Sequence, residues 1–172
     1  TGLLRDFESH VQEFLGSLRV IDEKKKLYGV PAGGLKKAMI SACRYADGVT
    51  MTWALGAFHI VAPPNGKNLI PIFDATTGKP AQPQMRTDFV RVGPMGRQVA
   101  DIRYRGEFTN WKLQFGIRYN AAAVNPSQLA NLLNIAGFSI GLGEMRPGKT
   151  GFSHGTFEVV LGQGNDGKKG KH

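Results

Sequence analysis

The stretch NPSQLANLLNIAG (125–137), continued by FSIGLGEMRPGKTGFSHGTFEVVL (138–161), decides how this chain is read. Its first part carries the local signals of a helix start. Asn125 stands where an N-cap side chain accepts an amide, Pro126 presets φ at the first helical position, and Gln128 completes a capping box. Leu129, Leu132, Leu133 and Ala136 follow at helical spacing, and Gly137 stands just past the expected end. At the far end, TFEVVL (156–161) has the β-branched and aromatic content of a strand. Between them glycine recurs at 137, 141, 143, 148, 151 and 155, with Arg146 and Lys149 interspersed. Glycine loses the most conformational freedom on ordering, so either the backbone takes shapes only glycine allows or another group approaches it closely. The expectation is helix, glycine-rich loop, last strand.

Just upstream, Trp111, Leu113, Phe115, Ile117 and Tyr119 alternate with Lys112, Gln114, Gly116 and Arg118, which predicts one half-buried strand with a polar, basic face. In DIRYRGEF (101–108), Ile102 and Tyr104 alternate with Arg103 and Arg105 in the same way. GEFTN (106–110) supplies a turn between the two, predicting an antiparallel hairpin whose one face carries Arg103, Arg105, Lys112 and Arg118.

The N-terminal half predicts an amphipathic helix over Leu3–Leu18, a charged turn DEKKK (22–26) and a short strand LYGV (27–30). PAGGLKKAMISACRYAD (31–47) reads as a second helix with Leu35, Met39, Ile40 and Cys43 as its apolar stripe and Lys36, Lys37 and Arg44 off it. The middle reads as β-rich. AFHIVAP (57–63) and LIPIFD (69–74) flank a PNGKN turn, ATTGKPAQPQ (75–84) is a loop, and MRTDFVRVG (85–93) is a further strand. The order of elements predicts an α+β fold: a ferredoxin-like (RRM-like) split βαβ sheet with helices on one face and a β-rich insertion. One domain is expected over 1–161, with a disordered basic tail at 162–172.

An apolar fraction of 41% with 20% charged residues excludes a disordered chain. No run reaches the roughly 18 apolar residues of a membrane span, and no signal-peptide pattern opens the sequence. Cys43 has no second cysteine to pair with, which excludes an internal disulfide and a cysteine-rich zinc site and suits a reducing compartment. A cytoplasmic protein without membrane contact is therefore expected. Lys and Arg outnumber Asp and Glu by 22 to 13, a net charge of +9, which favours polyanion partners through the field and counterion release.

Catalytic patterns are sparse. His10, His59, His154 and His172 form no HExxH arrangement, Glu144 has no second carboxylate beside it for acid–base work, and no GxSxG elbow occurs. GEMRPGKT (143–150) matches the phosphate-loop string formally, but a helix precedes it and a strand is expected after it, so the helix N-terminus that cradles a phosphate is missing. No catalytic residue, metal site or cofactor is expected, and the chain reads as a binding protein.

LYGVPAGGLKKAMISACRYA (27–46) and GLGEMRPGKTGFSHGTFEV (141–159) together resemble the RAMP superfamily, the ferredoxin-like RNA-binding proteins of CRISPR effector complexes. The first is similar to the family's signature around its first helix, and the second stands where those proteins carry a glycine-rich loop. The nearest comparison is the backbone subunit that polymerises along guide RNA. RYRGEFTNW (103–111) also resembles a strand pair of uncharacterised phage and prophage proteins. The resemblance implies a nucleic-acid track: Ala32, Gly33 and Gly34 admitting a strand's backbone, Lys36 and Lys37 on its phosphates, and Arg146 and Lys149 doing the same from the glycine-rich loop. Arg44, Arg103, Arg105 and Arg118 extend the candidate set, and Tyr45 and Phe152 are the candidate stacking aromatics. The expected function is phosphate-directed binding of single-stranded RNA or DNA by a non-catalytic subunit that oligomerises along the strand or joins other effector subunits. The alternatives are a phage structural or assembly protein with a basic partner-binding face, and a RAMP-like endoribonuclease using His154 or His59.

Overall fold

Helical spacing and alternation place most elements close to their expected positions in the computed structural model, which describes residues 2–160, with side chains from residue 9 onward. The expected tail at 162–172 lies outside the described residues. Two compact units emerge, one from the N-terminal helix to Ala32 together with Ile60–Gly116, the other from Gly33–His59 together with the residues from Ile117 onward. The architecture is α+β, with helices and antiparallel pairing.

The first unit holds α1 (Gly2–Ser17), β1 (Val20–Asp22) and β2 (Leu27–Pro31), and later β4 (Leu69–Asp74), β5 (Gln84–Val92), β6 (Val99–Glu107) and β7 (Trp111–Leu113). β1, β2, β4 and β7 form one sheet in that order, with each neighbouring pair antiparallel. Leu69, Ile70 and Ile72 of β4 are buried in it, as a central strand between two neighbours requires. β5 and β6 form a separate hairpin in unbroken register from Gln84↔Glu107 to Val92↔Val99. α1 packs on β6, where the His10 ring stacks on Tyr104 at 4.0 Å and Ser17 Oγ accepts the Gly106 amide at 2.9 Å.

The second unit begins with α2 after its first residue (Ala32–Ala42), a 3-10 turn at Cys43–Tyr45 and α3 (Met51–Ala57). Of the stripe expected from spacing Leu35, Met39 and Cys43 are buried, joined by Ala38 and Ala42, whereas Ile40 is half-buried. β3 (Phe58–Val61) pairs with β8 (Gly116–Tyr119) as a two-stranded ribbon. α4 (Pro126–Ile135) is capped as its sequence dictates: Asn125 Oδ1 accepts the Gln128 amide at 2.9 Å, and Gln128 Oε1 accepts the Asn125 amide at 3.0 Å. Leu129, Leu132 and Leu133 are its buried face.

Several expectations are corrected. The hairpin predicted through GEFTN does not form: β6 pairs with β5, whereas β7 pairs with β4 and β8 with β3. Nine consecutive paired positions between β5 and β6 outweigh what a short strand across GEFTN could supply. The predicted strand over 111–119 is broken between Leu113 and Gly116, although half-buried and exposed residues still alternate from Trp111 to Arg118. The second helix ends at Ala42 rather than Asp47. Ahead of the β-rich middle stands a helix that the spacing did not announce, α3, opened by Thr50, whose Oγ1 accepts the Trp53 amide at 3.1 Å. Gly137 does not end α4; the chain continues as a π-turn over Ala136–Ile140. Finally, Thr156–Val160 joins no strand ladder among the described residues; single bonds from the Phe157 amide to the Gly137 carbonyl and from the Val159 amide to Asn134 Oδ1 hold it instead.

Candidate functional site

The six glycines that pose the question serve the loop's own folding. A Cβ on Gly137 would overlap the Phe157 carbonyl, so the π-turn and the returning chain pack backbone against backbone. Gly155 sits at φ 72°, its carbonyl accepts the Leu142 amide at 2.9 Å, and a Cβ there would overlap the Leu142 carbonyl. The GKT of the phosphate-loop string lies inside a one-turn helix, α5 (Pro147–Thr150), instead of ahead of a longer one. Its cations are engaged locally: Lys149 Nζ is ion-paired with Glu144, and Arg146 Nη1 donates to the Gly143 carbonyl at 2.8 Å. A loop whose basic groups are already partnered by its own backbone and carboxylate has less to offer an incoming phosphate.

The cations expected on one strand-pair face are likewise separated and partly neutralised. Arg103 pairs with Asp101 at 2.8 Å and with Glu13 of α1 at 3.2 Å. Arg105 reaches Asp88 at 3.5 Å. Asp88, only 5% exposed, also accepts from Arg86 at 2.7 and 3.1 Å, and Arg86 bridges on to Glu107 at 2.7 Å. Donation to Asp88, with help from Glu107, raises the Arg86 pKa further above its usual value against the opposing effect of burial. These residues lie on one face of the β5–β6 hairpin, where opposite charges meet across the strands. Lys112 is on β7 and Arg118 on β8.

In the second unit, Gly33 and Gly34 form the first turn of α2 with nothing within 4 Å of an added Cβ. Lys36 turns inward: its Nζ donates to the Leu55 carbonyl at 2.9 Å, lies 3.4 Å from His59 Nδ1 and sits over the Phe58 ring. Lys37, Arg44 and Arg118 are exposed and form no ion pair among the described residues. Tyr45 and Phe152 are exposed, with the Phe152 ring 6.3 Å from that of His154. Cys43 is buried, and desolvation pushes its thiol pKa up. Among the described residues no group of three or more His, Cys, Asp or Glu could hold a metal ion, and no helix is long and apolar enough to cross a membrane.

The distal half of the hairpin was missed by sequence reasoning. On β5, Phe89 is 80% exposed and shares a face with Arg91, their cross-strand partners being Ile102 and Ala100. The turn beyond carries Met95 and Arg97, both exposed, and residues 89–100 contain no carboxylate. Arg91 and Arg97 have no ion-pair partner among the described residues. The signal was present in MRTDFVRVG, whose period of two puts Phe89 and Arg91 on one side. No protein-family model, curated protein or solved structure matches the chain.

Proposed function

We propose that the protein binds single-stranded nucleic acid, chiefly through its phosphates, as a non-catalytic subunit. The observation that carries this reading is the distal β5–β6 hairpin, where an exposed aromatic ring stands beside Arg91 in a stretch with no carboxylate, on a chain of net charge +9. A base stacks on Phe89 while the neighbouring guanidinium takes the phosphate, the combination by which such proteins hold a strand without reading its sequence. Lys37 and Arg44 of the second unit are further phosphate ligands, being exposed and without carboxylate partners. Arg103, Arg105 and Lys149 are not needed for binding, because carboxylates already occupy them.

The kinship with RAMP proteins and the ferredoxin-like arrangement belong to this proposal. The direct passage from β2 into the glycine-opened α2 supports them. The antiparallel order β1-β2-β4-β7 lacks the parallel neighbours of a split βαβ unit and counts against them. Fluorescence anisotropy with labelled oligonucleotides tests the binding reading. Stacking on an aromatic is worth about 1–3 kcal/mol per base, so Phe89→Ala weakens binding by roughly fivefold or more. An unchanged affinity in that variant removes the hairpin from the interface.

A further inference from the structure

β5 is a long edge strand. It is laddered to β6 at nine positions and has no ladder partner on its other side among the described residues. In an antiparallel ribbon every second residue turns its amide and carbonyl away from the neighbouring strand, so this side of β5 presents a row of polar backbone groups to water. The devices that blunt such an edge are sparse. No proline interrupts Gln84–Val92, its register with β6 runs without a bulge, and Met85, Thr87, Phe89 and Arg91 lie exposed along one face. Phe89 is 80% exposed and Met85 44%.

The same strand is chemically complementary to itself when reversed. From Met85 to Phe89 it reads apolar, cationic, threonine, anionic, apolar. Laid antiparallel on a second copy about Thr87, it sets Met85 opposite Phe89, Arg86 opposite Asp88, and Thr87 opposite Thr87. A thioether beside a ring, opposite charges and paired threonines all favour an antiparallel ladder. Asp88 is already held by Arg86 and Arg105 of its own chain, so the seam needs only that no like charges meet across it. The neighbouring registers fail that condition. Sliding the copies by two residues sets Asp88 against Asp88 in one direction and Arg86 against Arg86 in the other.

We infer that the free edge of β5 pairs with the free edge of β5 in a second copy of this chain, antiparallel and centred on Thr87. The product is a four-stranded sheet in the order β6-β5-β5-β6, closed by a two-fold axis through the seam. Strand addition of this kind satisfies, in both copies at once, the backbone groups that an open edge leaves to water. The seam runs along the edge and leaves the face that carries Phe89 and Arg91 uncovered. Dimerisation and base stacking therefore do not compete, and the dimer offers a nucleic acid two such sites on one sheet face.

Analytical ultracentrifugation of nuclease-treated full chain tests this, and because no nucleic acid is present its failure leaves the binding reading untouched. Wild type is expected to be a dimer that dissociates on dilution. Thr87→Lys and Thr87→Glu, at an exposed position, each set like charges against one another on the axis and weaken association about fivefold. An equimolar mixture of the two sets Lys against Glu and restores association to within about twofold of wild type. The smaller change Thr87→Cys gives a second readout: mild oxidation joins two chains through that residue. Phe89→Cys, whose twin lies about 13 Å along the seam, cross-links at least tenfold more slowly. A monomeric wild type overturns the inference, as does a mixture no better than either variant alone. A dimer that neither charge change weakens, or equal cross-linking of the two cysteine variants, places the contact elsewhere and overturns it equally.

Discussion

Replacing Gly155 by alanine tests the claim that the glycines of 137–155 serve the loop's own geometry. Gly155 sits at φ 72°, where an L-residue costs about 1–2 kcal/mol. The new Cβ would also overlap the Leu142 carbonyl, and relieving that overlap breaks the Leu142 amide to Gly155 carbonyl bond, worth about 0.5–1.5 kcal/mol. The sum is about 1.5–3.5 kcal/mol, which for a chain of this length lowers Tm by roughly 3–14 °C. Gly33 and Gly34 provide an internal contrast in the same unit. They are helical, have open space where a Cβ would go, and each glycine costs a helix about 0.5–1 kcal/mol relative to alanine. The double change Gly33→Ala with Gly34→Ala therefore raises stability by about 1–2 kcal/mol. Urea unfolding followed by circular dichroism reads both variants. Opposite signs are expected, and a Gly155→Ala protein as stable as wild type would refute the steric reasoning.

The Asp74 carboxylate accepts the Thr77 amide at 2.6 Å and the Thr76 amide at 3.0 Å, with Asn110 at 3.4 Å, and the Thr77 bond leads in holding its pKa below the usual value. A lowered folded-state pKa gives stability that is complete above the unfolded pKa, near 3.9, and is lost as pH falls through the folded value. Urea midpoints measured below about pH 4 should fall more steeply in wild type than in Asp74→Asn. Asp88→Ala takes the carboxylate from Arg105 and leaves Arg86 with Glu107 alone, and costs about 1.5–3 kcal/mol, less than a fully buried pair because both guanidiniums keep about a quarter of their surface in water. Chemical denaturation with the m-value held fixed measures that loss. Buried and raised in pKa, the Cys43 thiol should react with a thiol reagent far more slowly in the native protein than in urea. Equal labelling rates would contradict its burial.

Legibility followed the range of the interactions. α4 was readable because Asn125, Pro126 and Gln128 act within one turn, and β5 because alternation is a property of the strand itself. Which strands pair was not readable, since pairing depends on segments far apart in sequence. The alternation through Trp111 and Tyr119 is real in burial, yet it spans two strands with different partners. TFEVV has strand composition yet joins no ladder among the described residues, because composition cannot supply a neighbouring edge. α3 escaped notice because one seven-residue helix offers little periodicity. For the candidate site, counting cations located basic residues but could not see which carboxylates fold against them. Arg103, Arg105 and Lys149 are neutralised by contacts that no spacing announces, whereas the alternation that puts Phe89 and Arg91 on one face does not say that this face stays exposed.

The central claim, phosphate-directed binding in which the distal hairpin takes part, is tested most directly by the salt dependence of oligonucleotide affinity in wild type and Arg91→Ala. For single strands log K falls with log salt at a slope of about −0.7 per phosphate contact. The account predicts a steep negative slope for wild type and one shallower by about 0.7 for Arg91→Ala. A flat dependence in wild type, or an identical slope in the variant, would contradict it.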